Sequence, residues 1–278
     1  MQLILISGLA GSGKSIALNV LEDSGYSCID NLPLTLVPDT VERLAPLGYE
    51  QLAISLDTRD GASRLLEVIH ALETAGHNVR FLFLEARTDT LIRRFSETRR
   101  RHPLSRTALT IPEAIARERQ LLQAIAGLGH RIDTSDLSPN QLRRYLRDVI
   151  AQAPGRMLVV IQSFGFKHGV PLDADFVFDV RCLPNPYYDP ALRPFTGRDA
   201  PIINFLTAEP LVQAMADELS GLALRWIPVF RHDNRNYLTF AIGCTGGQHR
   251  SVYLAETLAA RLSETGETVL LRHRELDR

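Results

Sequence analysis

Apolar residues fall along this chain in short runs that alternate with stretches of helical spacing. Leu3 to Ile6, Gln51 to Leu56 (ending at Asp57) and Val79 to Leu84 (ending at Glu85) have the continuous character of parallel strands covered on both faces. Between the last two, Leu65, Leu66, Ile69 and Leu72 share one side of a helix predicted over Ala62 to Ala75. Arg131 to Thr134 reads as another short strand. A helix over Gln141 to Ile150 follows it, with Leu142, Leu146 and Val149 or Ile150 turned inward. Ala151-Gln152-Ala153-Pro154-Gly155 then breaks the pattern, since proline followed by glycine stops a helix. The expected division is a first domain over 1–152 and a second over 153–278.

The second half repeats the alternation. Met157 to Ile161, Phe176 to Val180, Tyr237 to Cys244 and Thr268 to Leu271 read as strands, and Glu209 to Trp226 and Ser251 to Ser263 as helices. Pro184, Pro186, Pro190 and Pro194 shape a long loop. No internal repeat or low-complexity tract is visible. The expected fold class is α/β, with a parallel sheet in the first domain and a second α/β domain after it.

Directly after the first apolar run stands Gly8-Leu9-Ala10-Gly11-Ser12-Gly13-Lys14-Ser15, followed by the helical pattern Ile16 to Leu21. Strand, G-x-x-x-x-G-K-S and helix together read as a phosphate-binding loop. The glycines let successive amides face one anion, Lys14 reaches the terminal phosphates, and the Ser15 hydroxyl ligates Mg2+. The helix N-terminus favours the same charge. Such a loop needs a second acid for the metal, normally at a neighbouring strand end. Asp57 and Glu85 both qualify, and Asp57 heads the cluster Asp57-Thr58-Arg59-Asp60, for which a solvated turn is the alternative. Arg93, Arg94, Arg99, Arg100 and Arg101, with His102, form the densest basic stretch. On one helix several of their guanidiniums would share a side and cover a transferring phosphate or touch RNA. Pairing with Glu97 and Glu118 on a solvated face is the competing reading.

Gly243-Cys244-Thr245-Gly246-Gly247-Gln248-His249-Arg250-Ser251 is a second loop between an apolar strand and a helix. It reads foremost as a pocket for a phosphate or sugar phosphate. The order C-x-x-x-x-x-R-S also matches cysteine-dependent phosphatases, in which a thiolate sits in a ring of amides beside a phosphate-clamping arginine. That chemistry needs a general acid, for which Asp173, Asp179 and Asp189 are all candidates; a structural turn is the third reading. Lys167 and His168, in a glycine-flanked segment, and Asp179 with Arg181, two residues apart, are candidates to line the same pocket. Asp179 and Arg181 would read an amine and a phosphate, or else form a buried structural pair.

Charge and cysteine content narrow the partners. The 278 residues suffice for two ordinary domains at roughly 100 to 200 residues each. Formal net charge is −1, so nucleic acid would be met only by local basic patches. Cys28, Cys182 and Cys244 fit neither a disulfide framework nor a paired metal spacing. No apolar stretch approaches the ~20 residues of a membrane span, and the first residues lack a secretory pattern, so a cytoplasmic protein without membrane attachment is expected.

Taken in order, Gly8 to Ser15, Asp30-Asn31-Leu32-Pro33, Asp57-Thr58-Arg59, Ser163-Phe164-Gly165-Phe166-Lys167-His168-Gly169, Phe178-Asp179-Val180-Arg181, Leu183-Pro184-Asn185-Pro186 and Gly243 to Gly247 give the chain a resemblance, over essentially its whole length, to the RapZ family of RNase adapter proteins. The resemblance implies an N-terminal kinase-like domain that binds ATP at Gly8 to Ser15 and GTP at Asp57, Thr58, Arg59 and Asp60, with Mg2+ held through Ser15 and Asp57 and weak hydrolysis. It further implies a C-terminal domain shaped like part of a phosphofructokinase. There an amino-sugar phosphate such as glucosamine-6-phosphate would meet Lys167, His168, Asp179, Arg181, Tyr187, Cys244, Thr245, Gly246, Gly247, His249, Arg250 and Ser251. Enteric members are homo-oligomers, trimers, that bind small RNAs and present one to an endonuclease. Two positions depart from that pattern. Tyr187 stands where the enteric pocket has a histidine, and Arg274-Glu275-Leu276-Asp277-Arg278 replaces a lysine- and arginine-rich tail. Each missing phosphate contact would flatten the salt slope of single-strand binding by roughly 0.7. A small-molecule kinase with an arginine-rich lid is the alternative function.

Overall fold

The computed structural model describes residues 1–57, 64–105, 109–151, 157–233, 235 and 237–276. They fall into two compact units, Met1–Gly155 and Arg156–Arg278, each built on one parallel sheet.

In the first unit β1 (Gln2–Gly8), β2 (Ser27–Pro33), β3 (Gln51–Asp57), β4 (Asn78–Glu85) and β5 (His130–Asp133) lie in the order β2-β3-β1-β4-β5. All four pairings are parallel, so crossover segments must return the chain to the same edge each time. These carry α1 (Lys14–Asp23), α2 (Val37–Leu44), α3 (Leu65–Thr74), α4 (Thr88–Thr98) and α5 (Ile111–Ala126), and α6 (Pro139–Ile150) follows β5. β1 is central because Leu3 to Ile6 are apolar without interruption and are buried throughout. The chain leaves β1 for β2 and β3 on one side and returns to β4 on the other. Such a switch opens a crevice at the C-terminal ends of the central strands. Helix starts depend on caps that apolar spacing alone does not reveal. Ser138 and Gln141 form a reciprocal cap that starts α6 at Pro139, two residues before the apolar pattern suggests, and Thr110 with Glu113 does the same for α5.

The second unit arranges β6 (Leu158–Gly165), β7 (Phe176–Asp179), β8 (Tyr237–Cys244) and β9 (Thr268–His273) in the order β7-β8-β6-β9, again all parallel. α7 (Ala200–Thr207), α8 (Pro210–His232) and α9 (Arg250–Glu264) complete it. Phe240 is fully buried, with its ring stacked 5.0 Å from Phe176 and nearly parallel to it. α8 runs six residues past its expected end at Trp226, with Pro228 inside it. Proline there forfeits one backbone hydrogen bond, but Ile227 is wholly buried and Phe230 meets Phe176 edge-on, so packing carries the helix onward. Among the described residues no helix is long and apolar enough to cross a membrane.

Replacing Phe240 by Ala removes an aromatic ring from a site that cannot collapse around the stacked Phe176. A loss of about 3–5 kcal/mol is expected, read as an earlier urea midpoint for the second unit.

Candidate functional site

Each unit ends its central strands in a loop that enters a helix. In the first unit Gly8 closes β1 at φ 141°, opposite Leu84 of β4. A Cβ at Gly8 would overlap the Leu84 carbonyl oxygen, so the strand reaches its turn only as glycine. The Leu9 amide then donates to that same carbonyl at 3.1 Å, and the Ser12 amide turns back to Leu9 O at 3.1 Å. Lys14 opens α1 and its Nζ curls over the loop to Gly8 O at 2.5 Å and Leu9 O at 3.1 Å. The ammonium therefore stands over the backbone that a phosphate would approach. Ser15 is exposed in the first turn of α1. By the β1–β3 register, which pairs Ile6 with Ser55, Asp57 falls level with Gly8. A hydroxyl in the first turn and a carboxylate at the adjacent strand end fit the magnesium ion that accompanies a nucleotide. Among the described residues no group of three or more His, Cys, Asp or Glu is arranged to hold a metal by itself. Thr58, Arg59 and Asp60 lie outside the described residues.

Three long-range contacts hold this loop in place. Thr134, just beyond β5, donates its hydroxyl to Ser12 O at 2.9 Å. Arg94 of α4 reaches Gly11 O at 3.1 Å, Thr134 Oγ1 at 3.0 Å and Thr134 O at 2.6 Å. On the other side Glu118 of α5, itself buried, accepts the Ala10 amide at 2.8 Å. The same carboxylate oxygen meets His102 Nε2 at 3.2 Å. Because the Leu104 amide donates to His102 Nδ1, the ring proton resides on Nε2 and points at Glu118.

Two expectations for this unit are corrected. Glu85 is not available to a metal: it is buried, with Arg131 Nε at 2.9 Å and Arg119 Nη1 at 3.1 Å. Burial pushes its carboxyl up, and the two arginines only partly oppose that. The arginines 93 to 101 do not share a helical face, because α4 stops at Thr98 and Arg99 turns left-handed at φ 51°. Arg94 of that stretch grips the loop, and Glu118, a solvated partner of the arginines in the competing reading, is buried and bonded to the Ala10 amide instead.

The second unit gathers its candidates at the same edge of its own sheet. Lys167 and His168 occupy a short 3-10 turn after β6, Asp179 ends β7, Cys244 ends β8, and Arg250 begins α9. The two glycine-bearing loops pack backbone to backbone. A Cβ on Gly165 would lie 2.8 Å from the Gly246 carbonyl carbon, and one on Gly247, at φ 72°, would overlap Glu275. The Lys167 amide donates to Thr245 O at 3.3 Å. Thr245 is exposed and Gly246 half-buried above it. Glu275, which the sequence did not single out, accepts the Gly165 amide at 3.3 Å and faces His168 at 3.6 Å.

Asp179 and Arg181 do come together, but as an exposed bidentate pair, with Nη2 to Oδ2 at 2.6 Å and Nε to Oδ1 at 2.9 Å. The Arg181 hydrogen bonds hold the Asp179 carboxyl below its ordinary range. β7 ends at Asp179, so Arg181 reaches back from the turn rather than lying on the same strand face. Its guanidinium also stacks 4.1 Å over the Phe166 ring. Arg250 is buried and anchored by Nη1 to Arg181 O and Leu183 O, each at 2.8 Å, while its Nε is buried without a protein partner. His249 Nε2 is likewise buried and unpartnered. Burial is the largest influence on that imidazole and lowers its pKa, while hydrogen bonds to the Phe195 and Arg193 backbone work the other way. Tyr187 is exposed, its ring 6.5 Å from that of His249, with Arg193 beside it.

Cys244 Sγ receives the Gly247 amide at 3.2 Å and lies 3.1 Å from Ser251 Oγ. Burial pushes its thiol up. Hydrogen bonds from Ser251 and from the amides of Gly247 and His249 outweigh that and hold it below the ordinary thiol value.

Two parallel α/β units, each with a strand-loop-helix turn at the C-terminal ends of its central strands, define the chain as an α/β protein carrying a P-loop. Residues 1–153 match the RapZ-like N-terminal domain and residues 157–277 match the RapZ C-terminal domain. The chain belongs to the RapZ family. It is 99% identical over 278 residues to a protein named nucleotide-binding protein from Laribacter hongkongensis, with 100% of both chains covered. A protein of the same name from Chromobacterium violaceum is 54% identical over 280 residues, covering 100% of this chain and 99% of that one. Among solved structures the chain is similar to the Deinococcus radiodurans tunicamycin resistance protein, with TM-score 0.41, 14% identity, and 55% of this chain and 97% of that one covered. It is also similar to shikimate kinase from Bacteroides thetaiotaomicron, with TM-score 0.37, 15% identity, and 54% and 98% covered.

Removing the Glu118 carboxylate strands the Ala10 amide and the His102 ring proton, so Glu118→Ala is expected to cost about 2–4 kcal/mol in urea unfolding. Cys244 is expected to alkylate with iodoacetamide at a lower pH midpoint than Cys28, whose thiol burial and Glu22 push up. A depressed thiol is anionic from its folded pKa upward, so its rate rises first. Ser251→Ala should move the Cys244 midpoint upward, as read by peptide mass spectrometry.

Proposed function

We propose that this protein is a nucleotide-binding regulator whose second unit senses a small phosphorylated metabolite. In the first unit, Gly8 to Ser15 take the phosphates of ATP, with Mg2+ held through Ser15 and Asp57. Asp57 to Asp60 are the proposed GTP stretch. Weak hydrolysis would accompany nucleotide binding, as the family resemblance implies.

In the second unit the ligand is an amino-sugar phosphate of the glucosamine-6-phosphate kind. Arg250 supports this most directly: one nitrogen is fixed on two carbonyls while Nε stays buried without a partner, an arrangement that an oxyanion completes. Lys167 and His168 lie in the turn that bonds Thr245 O, the Thr245 and Gly246 amides are proposed to meet the phosphate, and Tyr187 beside His249 supplies a hydrogen-bonding rim. Asp179, already engaged by Arg181, would read the amine through a shared network rather than as a free carboxylate. The regulator's output is a small RNA presented to an endonuclease, from a homo-oligomer such as a trimer. Membership of the RapZ family and the resemblance of its motifs support this output.

Isothermal titration tests both inputs separately. Lys14→Ala should lose ATP binding and keep hexosamine phosphate binding, and Arg250→Ala should do the reverse. Failure of the wild type to bind any hexosamine phosphate would remove the sensor. Stoichiometric phosphate transfer from ATP to a metabolite, abolished by Lys14→Ala, would make the protein a kinase instead. Gel shifts at graded salt decide the RNA partner: affinity no better than that of an unrelated acidic protein removes it.

A further inference from the structure

Anion binding requires amides and a cation; it does not require a sulfur at the floor of the cradle. Cys244 is 3% exposed; the Gly247 amide donates to Sγ at 3.2 Å, Ser251 Oγ lies in hydrogen-bond contact at 3.1 Å, and the Ser251 and His249 backbone N–H groups act with them to favour the thiolate. A neutral thiol has little use for several donors, whereas a thiolate is satisfied by them. Six residues on, Arg250 is held by Nη1, with buried Nε left for an oxyanion. His249 Nε2 is a second buried polar atom on the same turn without a protein partner. Thiolate, amide ring, hydroxyl donor and arginine edge are the parts that stabilise a trigonal-bipyramidal phosphoryl group during transfer.

The neighbouring carboxylates set which phosphate can react. An alkoxide leaving group must be protonated as it departs. Asp179, in register with Gly243 at the adjacent strand end, is held ionised by two-point contact with Arg181 and has no proton to give at neutral pH. Glu275 accepts the Gly165 amide and faces His168. Of the other acids the sequence offers, Asp173 is buried and Asp189 accepts the Ala191 amide at 2.9 Å. With Asp179 ionised at the adjacent strand end, an alkyl phosphate such as a sugar phosphate is expected to sit in the loop uncleaved, which is what a sensor needs. A phenolate or carboxylate leaving group needs no proton.

We propose that Cys244 is a phosphoryl acceptor for activated phosphomonoesters, aryl or acyl phosphates, bound by the Thr245 to Arg250 loop. Cys244 Sγ attacks phosphorus, and the S–P bond forms as the P–O bond to the leaving group breaks. The leaving group departs with that electron pair. Water then attacks phosphorus and gives a proton to solvent; the S–P bond breaks, inorganic phosphate leaves and the thiolate is restored. The site rests on the reading of this loop as an oxyanion cradle, and the covalent step stands or falls separately.

The test uses the full-length protein with p-nitrophenyl phosphate and acetyl phosphate, beside glucosamine-6-phosphate as the alkyl comparison. Expected are release of nitrophenolate, a phosphorylated Cys244 peptide after acid quench, and no phosphate from the sugar ester. Cys244→Ser should lower nitrophenolate release by at least ~100-fold, with circular dichroism confirming its fold. Ser251→Ala should shift the pH profile of release upward, an effect that a structural role for Ser251 would not give. Wild-type turnover that survives Cys244→Ser overturns the proposal. So does an inert wild type that still binds glucosamine-6-phosphate by titration, which leaves the sensor intact; loss of both binding and turnover ends both.

Discussion

Close approach of bare backbone at the ends of parallel strands is the constraint on which both loops depend. At Gly8 the chain passes the Leu84 carbonyl too closely for any side chain, and that carbonyl is the acceptor for the Leu9 amide that starts the phosphate loop. In the second unit the loop after β6 and the loop after β8 touch through Gly165, Gly246 and Gly247 in the same manner. A methyl group at Gly8, Gly165 or Gly247 would push one backbone away from its neighbour, whereas Gly246 has room for one.

Around these contacts the protein spends its buried charge on fixing loops rather than on free ligands. Glu118 is satisfied by Ala10 and His102, Glu85 by two arginines, and Arg94 by carbonyls of the loop and of Thr134. Buried ionic groups cost several kcal/mol each to desolvate and are tolerated only when fully hydrogen-bonded. Their value here is positional. Glu118 and Arg94 hold the loop backbone at Ala10 and Gly11. Arg250 is the exception, because one of its buried nitrogens is left without a protein partner.

Much of this was legible from local pattern. β1 is a continuous apolar run and β3, β4 and β8 are apolar runs broken once each, by Ser55, Arg80 and Thr239, and the phosphate loop is a contiguous string whose spacing states its own geometry. Helix boundaries were less legible, since α6 starts on a Ser138 cap rather than at its first apolar residue. α8 passes through Pro228 because Ile227 and Phe230 have a core to enter, a fact no window of sequence contains. The arginine stretch misled for a similar reason. Its spacing is helical, but the helix ends at Thr98, which leaves only Arg94 of that run bound to the loop.

By itself the sequence determined what is contiguous: strand runs, the two glycine-bearing loops with Lys14, Cys244 and Arg250 at fixed offsets, and the kinship those motifs carry. Tertiary structure decided what is remote. Glu118 lies 108 residues from the amide it accepts, and Thr134 lies 122 residues from the carbonyl it bonds. It also decided which charges are occupied, taking Glu85 and Asp179 into pairs and leaving Arg250 Nε open. The reason is physical: local spacing encodes periodicity and turn chemistry, whereas burial and pairing depend on which strand ends the sheet order brings side by side.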